Sequence, residues 1–149
     1  MADIKLNIPD GRNRFIINGD ENRAFYTNLS DTEIAYRAEN FVNSVKSYIE
    51  DLEKKAESGE MTDIEFRHAV DEEVKKQIDY IFDASASKVV FGNLSIFAEG
   101  NRKTGETLFE LFWAAMFPQL EKEMKAAAQR MADSDKRIAK YTAKYRKKK

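Results

Sequence analysis

The sequence reads as a mainly α protein: a helical hairpin and a third long helix kinked at a proline, with a small N-terminal β-hairpin. Three observations carry this. Apolar residues recur at steps of three and four along segments 34–56 and 66–82. Each segment opens on a capping-box pattern, Ser30-x-x-Glu33 and Thr62-x-x-Glu65, in which a hydroxyl serves a free N–H and a glutamate reaches back. A third apolar stripe runs from Leu108 to Met131 with Pro118 inside it.

The hairpin is expected over 3–18. Ile4, Leu6 and Ile8 alternate with Lys5 and Asn7, Pro9-Asp10-Gly11-Arg12 signals a turn, and Arg14-Phe15-Ile16-Ile17 follows as the second strand. The first helix is expected over about 31–58, with Ile34, Ala38, Phe41, Val42, Val45, Tyr48, Ile49, Leu52 and Ala56 on one stripe and Gly59 as its left-handed stop. The second is expected over 63–82, with Phe66, Val70, Val74, Ile78, Ile81 and Phe82 facing inward. The short link between them predicts an antiparallel pair. Asp83-Ala84-Ser85-Ala86-Ser87 breaks the pattern, and Lys88-Val89-Val90-Phe91 reads as a turn or short helix that plugs the open end of the pair.

Residues 100–105 read as a loop, after which Thr104 or Thr107 caps a third helix over about 106–134. Pro118 removes the hydrogen bond to the Ala114 carbonyl, so a kink or two abutting helices are expected. The helical body, 1–135, is expected to form one domain. Residues 136–149 form a basic tail in which Ile138, Tyr141 and Tyr145 keep helical spacing.

Composition narrows the function classes. At 149 residues, 42% hydrophobic and 34% charged, the chain is long enough for an ordinary core. It has no cysteine, which removes disulfides, thiolate zinc sites and cysteine nucleophiles and fits a reducing cytoplasm. The longest apolar run, Leu111 to Phe117, stops at Pro118 and is too short to span a membrane. Residues 1–5 show no secretory leader pattern. Charge is distributed unevenly. There are 25 basic and 26 acidic residues, but eight of the basic ones fall in 136–149, leaving 17 against 26, a net −9, over 1–135. Such asymmetry points to interaction more than to chemistry.

No catalytic motif is present: there is no G-x-S-x-G, no glycine-rich phosphate loop and no H-E-x-x-H. His68, the single histidine, shares a helix face with Glu65 and Glu72, a pattern that solvated helical charge also produces. The run Glu50, Asp51, Glu53, Lys54 and Lys55 reads as a solvated face. The chain is therefore read as a non-enzyme, with no catalytic residue, cofactor or metal. Its candidate partner-binding residues are Phe109, Trp113 and Phe117, together with Lys140, Tyr141, Lys144, Tyr145 and Arg146. The three aromatics lie at i, i+4 and i+8, offset from the Leu111/Phe112/Ala115/Met116 stripe, so this helix is either central in a core or open to a partner. The basic end reads as a solubilising tail, a nucleic-acid contact with stacking tyrosines, or a contact to an acidic protein such as a second copy.

The segment Ile78-Asp79-Tyr80-Ile81-Phe82-Asp83-Ala84-Ser85-Ala86-Ser87-Lys88-Val89-Val90-Phe91-Gly92 resembles a stretch of the small tail assembly chaperones of long-tailed phages and prophages of Gram-positive bacteria. In that family an apolar helix ends in Ile-Asp-x-Ile-Phe, a small-residue turn follows, and a Lys-x-x-Phe-Gly element closes it. The wider plan is also similar over residues 1–145, including the basic end with its Lys140-Tyr141-Thr142 step. One departure is the turn, where the family usually carries glycines and this chain has Asp83-Ala84-Ser85-Ala86. The resemblance implies a binding protein without catalysis or cofactor. It would coat a tape-measure protein in the host cytoplasm and help recruit tail-tube subunits. It also implies a longer frameshifted form, for which the A-rich codons of Lys147-Lys148-Lys149 would suit. The alternative reading is a small nucleic-acid-binding protein acting through the basic end.

Overall fold

A computed structural model of the protein describes residues 2–146, with side chains to residue 143. Among these residues the fold is mainly α, with a small N-terminal two-stranded hairpin. The chain forms two compact units, Met1–Phe112 and Trp113–Lys149. Among the described residues the second unit is a single helical stretch, with no other element of its own to pack on.

The hairpin is real but displaced along the chain. β1 (Asn13–Ile17) pairs antiparallel with β2 (Asp20–Thr27), with a register shift between Ile16 and Ile17. Its turn is Asn18-Gly19, both at positive φ, as the mirror-image turns that fit strand twist require. That turn commits the whole of β1 to β2. Residues 2–12 are left without a strand partner, and Ile4, Leu6 and Ile8 are 87, 75 and 78% exposed. Pro9-Asp10-Gly11 is instead held by Asn28, whose Nδ2 donates to the Asp10 carbonyl at 2.8 Å.

α1 (Thr32–Glu57) is capped by Asp31, whose carboxylate accepts from Glu33 N–H. The expected cap, Ser30, is used otherwise: its N–H donates to Asn28 Oδ1. α1 ends in a Schellman motif, with Gly59 at φ +81°, Gly59 N–H donating to the Ala56 carbonyl and Glu60 N–H to that of Lys55. α2 (Asp63–Phe82) starts on the expected capping box of Thr62 and Glu65. It ends in the same motif without a glycine. Asp83 takes φ +49°, its N–H donates to the Tyr80 carbonyl, and Ala84 N–H donates to that of Asp79.

α3 (Ala86–Phe91) is the short helix expected after this turn. Asp79 supplies its N-terminal acceptor, taking Ser87 N–H at 2.7 Å and Ser87 Oγ at 2.9 Å. Arg23 of β2 serves its far end, donating to the Val89 and Val90 carbonyls. β3 (Glu99–Asn101) and β4 (Glu106–Thr107) form a second, minimal hairpin where a loop was expected. A side chain at Gly100 would press on the tips of Leu111 and Leu108, which would have to shift. α4 (Leu108–Arg146) follows and runs through Pro118 as one helix, beyond the expected end at 134 and into the basic segment.

The core of the first unit is a chain of rings. Phe15 stacks on Phe25 at 5.4 Å, Phe25 meets Phe82 at 6.4 Å, and Phe82 and Phe91 meet Phe112 edge-on at 6.1 and 5.8 Å. Ile34, Val70, Val74, Ile78 and Ile81 fill the space around it.

A non-glycine residue in the left-handed region costs about 1–2 kcal/mol. Asp83→Gly should therefore raise the unfolding free energy by about 0.5–1 kcal/mol in urea denaturation, net of glycine's own chain entropy. Asp83→Val, β-branched at the same φ, should lower it. Loss of stability in the glycine variant would contradict the left-handed stop.

Candidate functional site

In the first unit α1 and α2 do not close on each other along their whole length. Of α1's apolar stripe only Ile34 and Leu52, toward its two ends, are buried. The middle opens into a groove of about 660 Å³. Phe41, Val42, Val45 and Ile49 form one wall, and Phe66, Val70 and Val74 the other. Ile96, Phe97 and Phe109 complete the lining. Val42 is 63% exposed. The α1 wall, from 41 to 53, spans about 18 Å at 1.5 Å per residue, the length of three helical turns. The three polar lining residues, Lys46, Glu50 and Glu53, all lie on α1.

The lining residues that come from outside the hairpin are held by a polar clasp. Asp71, itself buried on α2, accepts Ile96 N–H on Oδ1 at 2.7 Å and pairs through Oδ2 with Lys75 Nζ at 3.1 Å. Lys75 Nζ also donates to the Leu94 carbonyl at 2.7 Å. The same loop then serves α4. Leu108 N–H donates to the Ala98 carbonyl at 2.8 Å and Phe109 N–H to the Ile96 carbonyl at 3.1 Å. Thr107 Oγ1, one of the two expected caps, accepts Glu110 N–H at 3.3 Å. Three of the N–H groups that any helix start leaves free are thus satisfied, and Phe97 and Phe109 are fixed at the groove.

The sequence-derived candidates divide between the units. Phe109 lines the groove. Trp113 and Phe117 belong to the second unit, where their rings lie 5.1 Å apart and Phe117 is 54% exposed. Lys140 and Tyr141 are exposed on α4. The side chains of Lys144, Tyr145 and Arg146, and all of Lys147–Lys149, lie outside the described residues. His68 pairs with Glu72 at 3.1 Å, both 69% exposed. Among the described residues no three His, Asp or Glu side chains are grouped as metal ligands, and no helix is long and apolar enough to cross a membrane. The groove walls were read from sequence only as the apolar stripes of two antiparallel helices and were not named as a site. The available signal was α1's stripe, which carries more large apolar side chains than one facing helix covers.

The chain matches no protein-family model, no curated protein and no solved structure.

Removing the clasp should loosen the groove from one side. Asp71→Ala leaves Ile96 N–H and Lys75 without their buried acceptor, which costs about 1–3 kcal/mol. Asp71→Asn keeps an acceptor for Ile96 and should cost less. In hydrogen–deuterium exchange the Ile96 amide should lose protection in the alanine variant more than in the asparagine one. Equal losses would show that the Ile96 bond does not hold the loop.

Proposed function

We propose that the protein is a tail assembly chaperone of long-tailed phages, a binding protein and not an enzyme. It holds amphipathic helices of a tape-measure protein in the α1–α2 groove and helps recruit tail-tube subunits, acting in the host cytoplasm. The observation that carries this reading is the groove: a helix-length apolar trough in a small domain with an adequate core elsewhere. Such a trough fits the apolar face of a helix, read out as anchors at i, i+3, i+4 and i+7. Two features describe its occupant. Glu50 and Glu53 outnumber Lys46 among the polar lining residues, and residues 1–135 carry a net −9, which favours a helix with basic flanks. The segment 78–92 adds the resemblance to the chaperone family. The alternative, nucleic-acid binding, rests on Tyr141, 68% exposed beside Lys140 on a basic helix end.

Co-expression with the tape-measure protein of the same phage genome tests the reading. The wild-type chain should keep that protein soluble and co-purify with it. Val42→Asp places a charge on the open groove wall, where a surface substitution changes stability by only about 0.5 kcal/mol, and should reduce the co-purified partner about tenfold or more. An insoluble tape-measure protein beside the wild type, or undiminished capture by Val42→Asp, would refute the groove as its site. Nucleic-acid binding instead calls for a gel shift with duplex DNA or RNA at about 50 mM salt, weakening steeply as salt rises.

A further inference from the structure

Along α4, Phe117, Leu120, Met124, Ala127, Met131, Ser134, Ile138 and Tyr141 succeed one another in strict alternating steps of three and four. A straight α-helix drifts away from such a repeat, and a sequence that holds it over four heptads specifies a left-handed supercoil with a partner helix. In heptad terms Phe117, Met124, Met131 and Ile138 are a positions, and the other four are d positions. From Met124 on the large seam residues are open: Met124 is 41% exposed, Met131 47%, Ile138 60% and Tyr141 68%. Within its own unit this helix has nothing to pack against, and helices draw most of their stability from packing an apolar face.

The charges beside the seam specify the partner. The e positions are Glu121, Ala128, Asp135 and Thr142, and the g positions include Glu123, Arg130 and Arg137. We propose that α4 forms a parallel, in-register coiled coil with α4 of a second copy of this chain. In that arrangement each g residue faces the e residue five positions on in the other copy. Arg130 meets Asp135, and it does so twice by symmetry. Glu123 meets Ala128 and Arg137 meets Thr142, so over 117–142 no like charges oppose. Antiparallel pairing fails this test. With Met131 set against Ser134, Arg130 opposes Arg137. With the register moved by one heptad, Arg130 opposes its own copy and Glu121 opposes Asp135. Arg130 already donates to Glu123 at 2.7 Å along its own helix, and a guanidinium with five N–H donors can serve both carboxylates. Ala127 and Ser134 are small d residues that let the two backbones approach, while the flexible methionines fill the a layers. This pairing does not depend on what occupies the groove.

The absence of native cysteine makes the register directly testable in the full chain. By sedimentation equilibrium the wild type should have about twice the 17.2 kDa chain mass at micromolar concentration. Ser134→Cys puts two thiols at facing d positions, within the span of a disulfide, and should cross-link to a covalent dimer under mild oxidation. Lys136→Cys, on the outer f position, should not. Met131→Glu buries a charge in the seam and should raise the dimer dissociation constant about 100-fold. It leaves the phenylalanine core of 1–112 untouched, so near-ultraviolet circular dichroism should persist. A monomeric wild type at about 100 μM, corresponding to association weaker than about −5.5 kcal/mol, would overturn the proposal. So would a dimer indifferent to Met131→Glu, or one in which Ser134→Cys cross-links no better than Lys136→Cys.

Discussion

The end of α2 at Phe82 is the point from which the first unit is built. The Phe82 side chain is buried between Phe25 of the hairpin and Phe112 of α4, and its carbonyl accepts the Thr27 hydroxyl at 2.7 Å. The next residue, Asp83, must turn left-handed so that α3 folds back and brings Phe91 against Phe112. Three elements far apart in sequence therefore depend on one side chain and one backbone angle. The segment that carries the phage-chaperone resemblance, 78–92, is this hub. Ile78, Ile81, Phe82, Ala86, Ser87 and Phe91 are all buried, so packing explains its pattern of large and small residues.

A core concentrated at one end of α2 has a consequence for the other end. α1 is tied beside the hub, where Ile34 is buried and Arg37 donates to the Tyr80 carbonyl at 3.2 Å. It is tied again toward the interhelical turn, where Leu52 is buried and Gly59 reverses the chain. Between these ties its apolar residues outnumber those that α2 covers, and the surplus becomes the groove. The remaining lining comes from residues 96 and 97 and the first turn of α4, held by the burial of Ile96 and by the Asp71–Lys75 clasp. The opening is thus a product of where the fold is tight: Val70, Val74 and Ile96 belong to the core as well as to the lining, while Val42 across from them stays 63% exposed.

The helices were legible because their signals are local. Thr62 and Glu65 name one start, Gly59 one stop, and the three–four spacing names the faces. The N-terminal strand was misplaced because alternation at Ile4, Leu6 and Ile8 is only a preference for extended backbone, whereas Asn18-Gly19 dictates a register. The helix cap fell on Asp31 and not Ser30 because Asn28 claims the serine. Asp83 shows the limit of reading glycine as the only left-handed stop. The groove was hidden for another reason. Periodicity identifies which residues of α1 face α2, but not whether α2 reaches them. That is settled by contacts distant in sequence, such as Asp71 with Ile96.

Pro118 bears on how the two units differ. A proline within a helix forfeits one backbone bond, and the loss is tolerated where other interactions hold the segment. Here α4 stays helical on both sides, with the Trp113 and Phe117 rings 5.1 Å apart and tilted just before the proline. Upstream, Leu108 and Phe109 are fixed by loop carbonyls. Downstream, Leu120 is still buried, but Met124, Met131, Ile138 and Tyr141 are open, and the side-chain pairs include Arg130 with Glu123. Propagating a helix gains little per residue in water, and in proteins most helical stability comes from packing an apolar face. Its alanine-rich stretch, Ala126-Ala127-Ala128, favours the helical state intrinsically, but Ser134, Asp135 and Thr142 do not. An apolar seam covered by a second copy, as proposed above, would supply to this stretch the packing that the interlocked rings supply to the first unit.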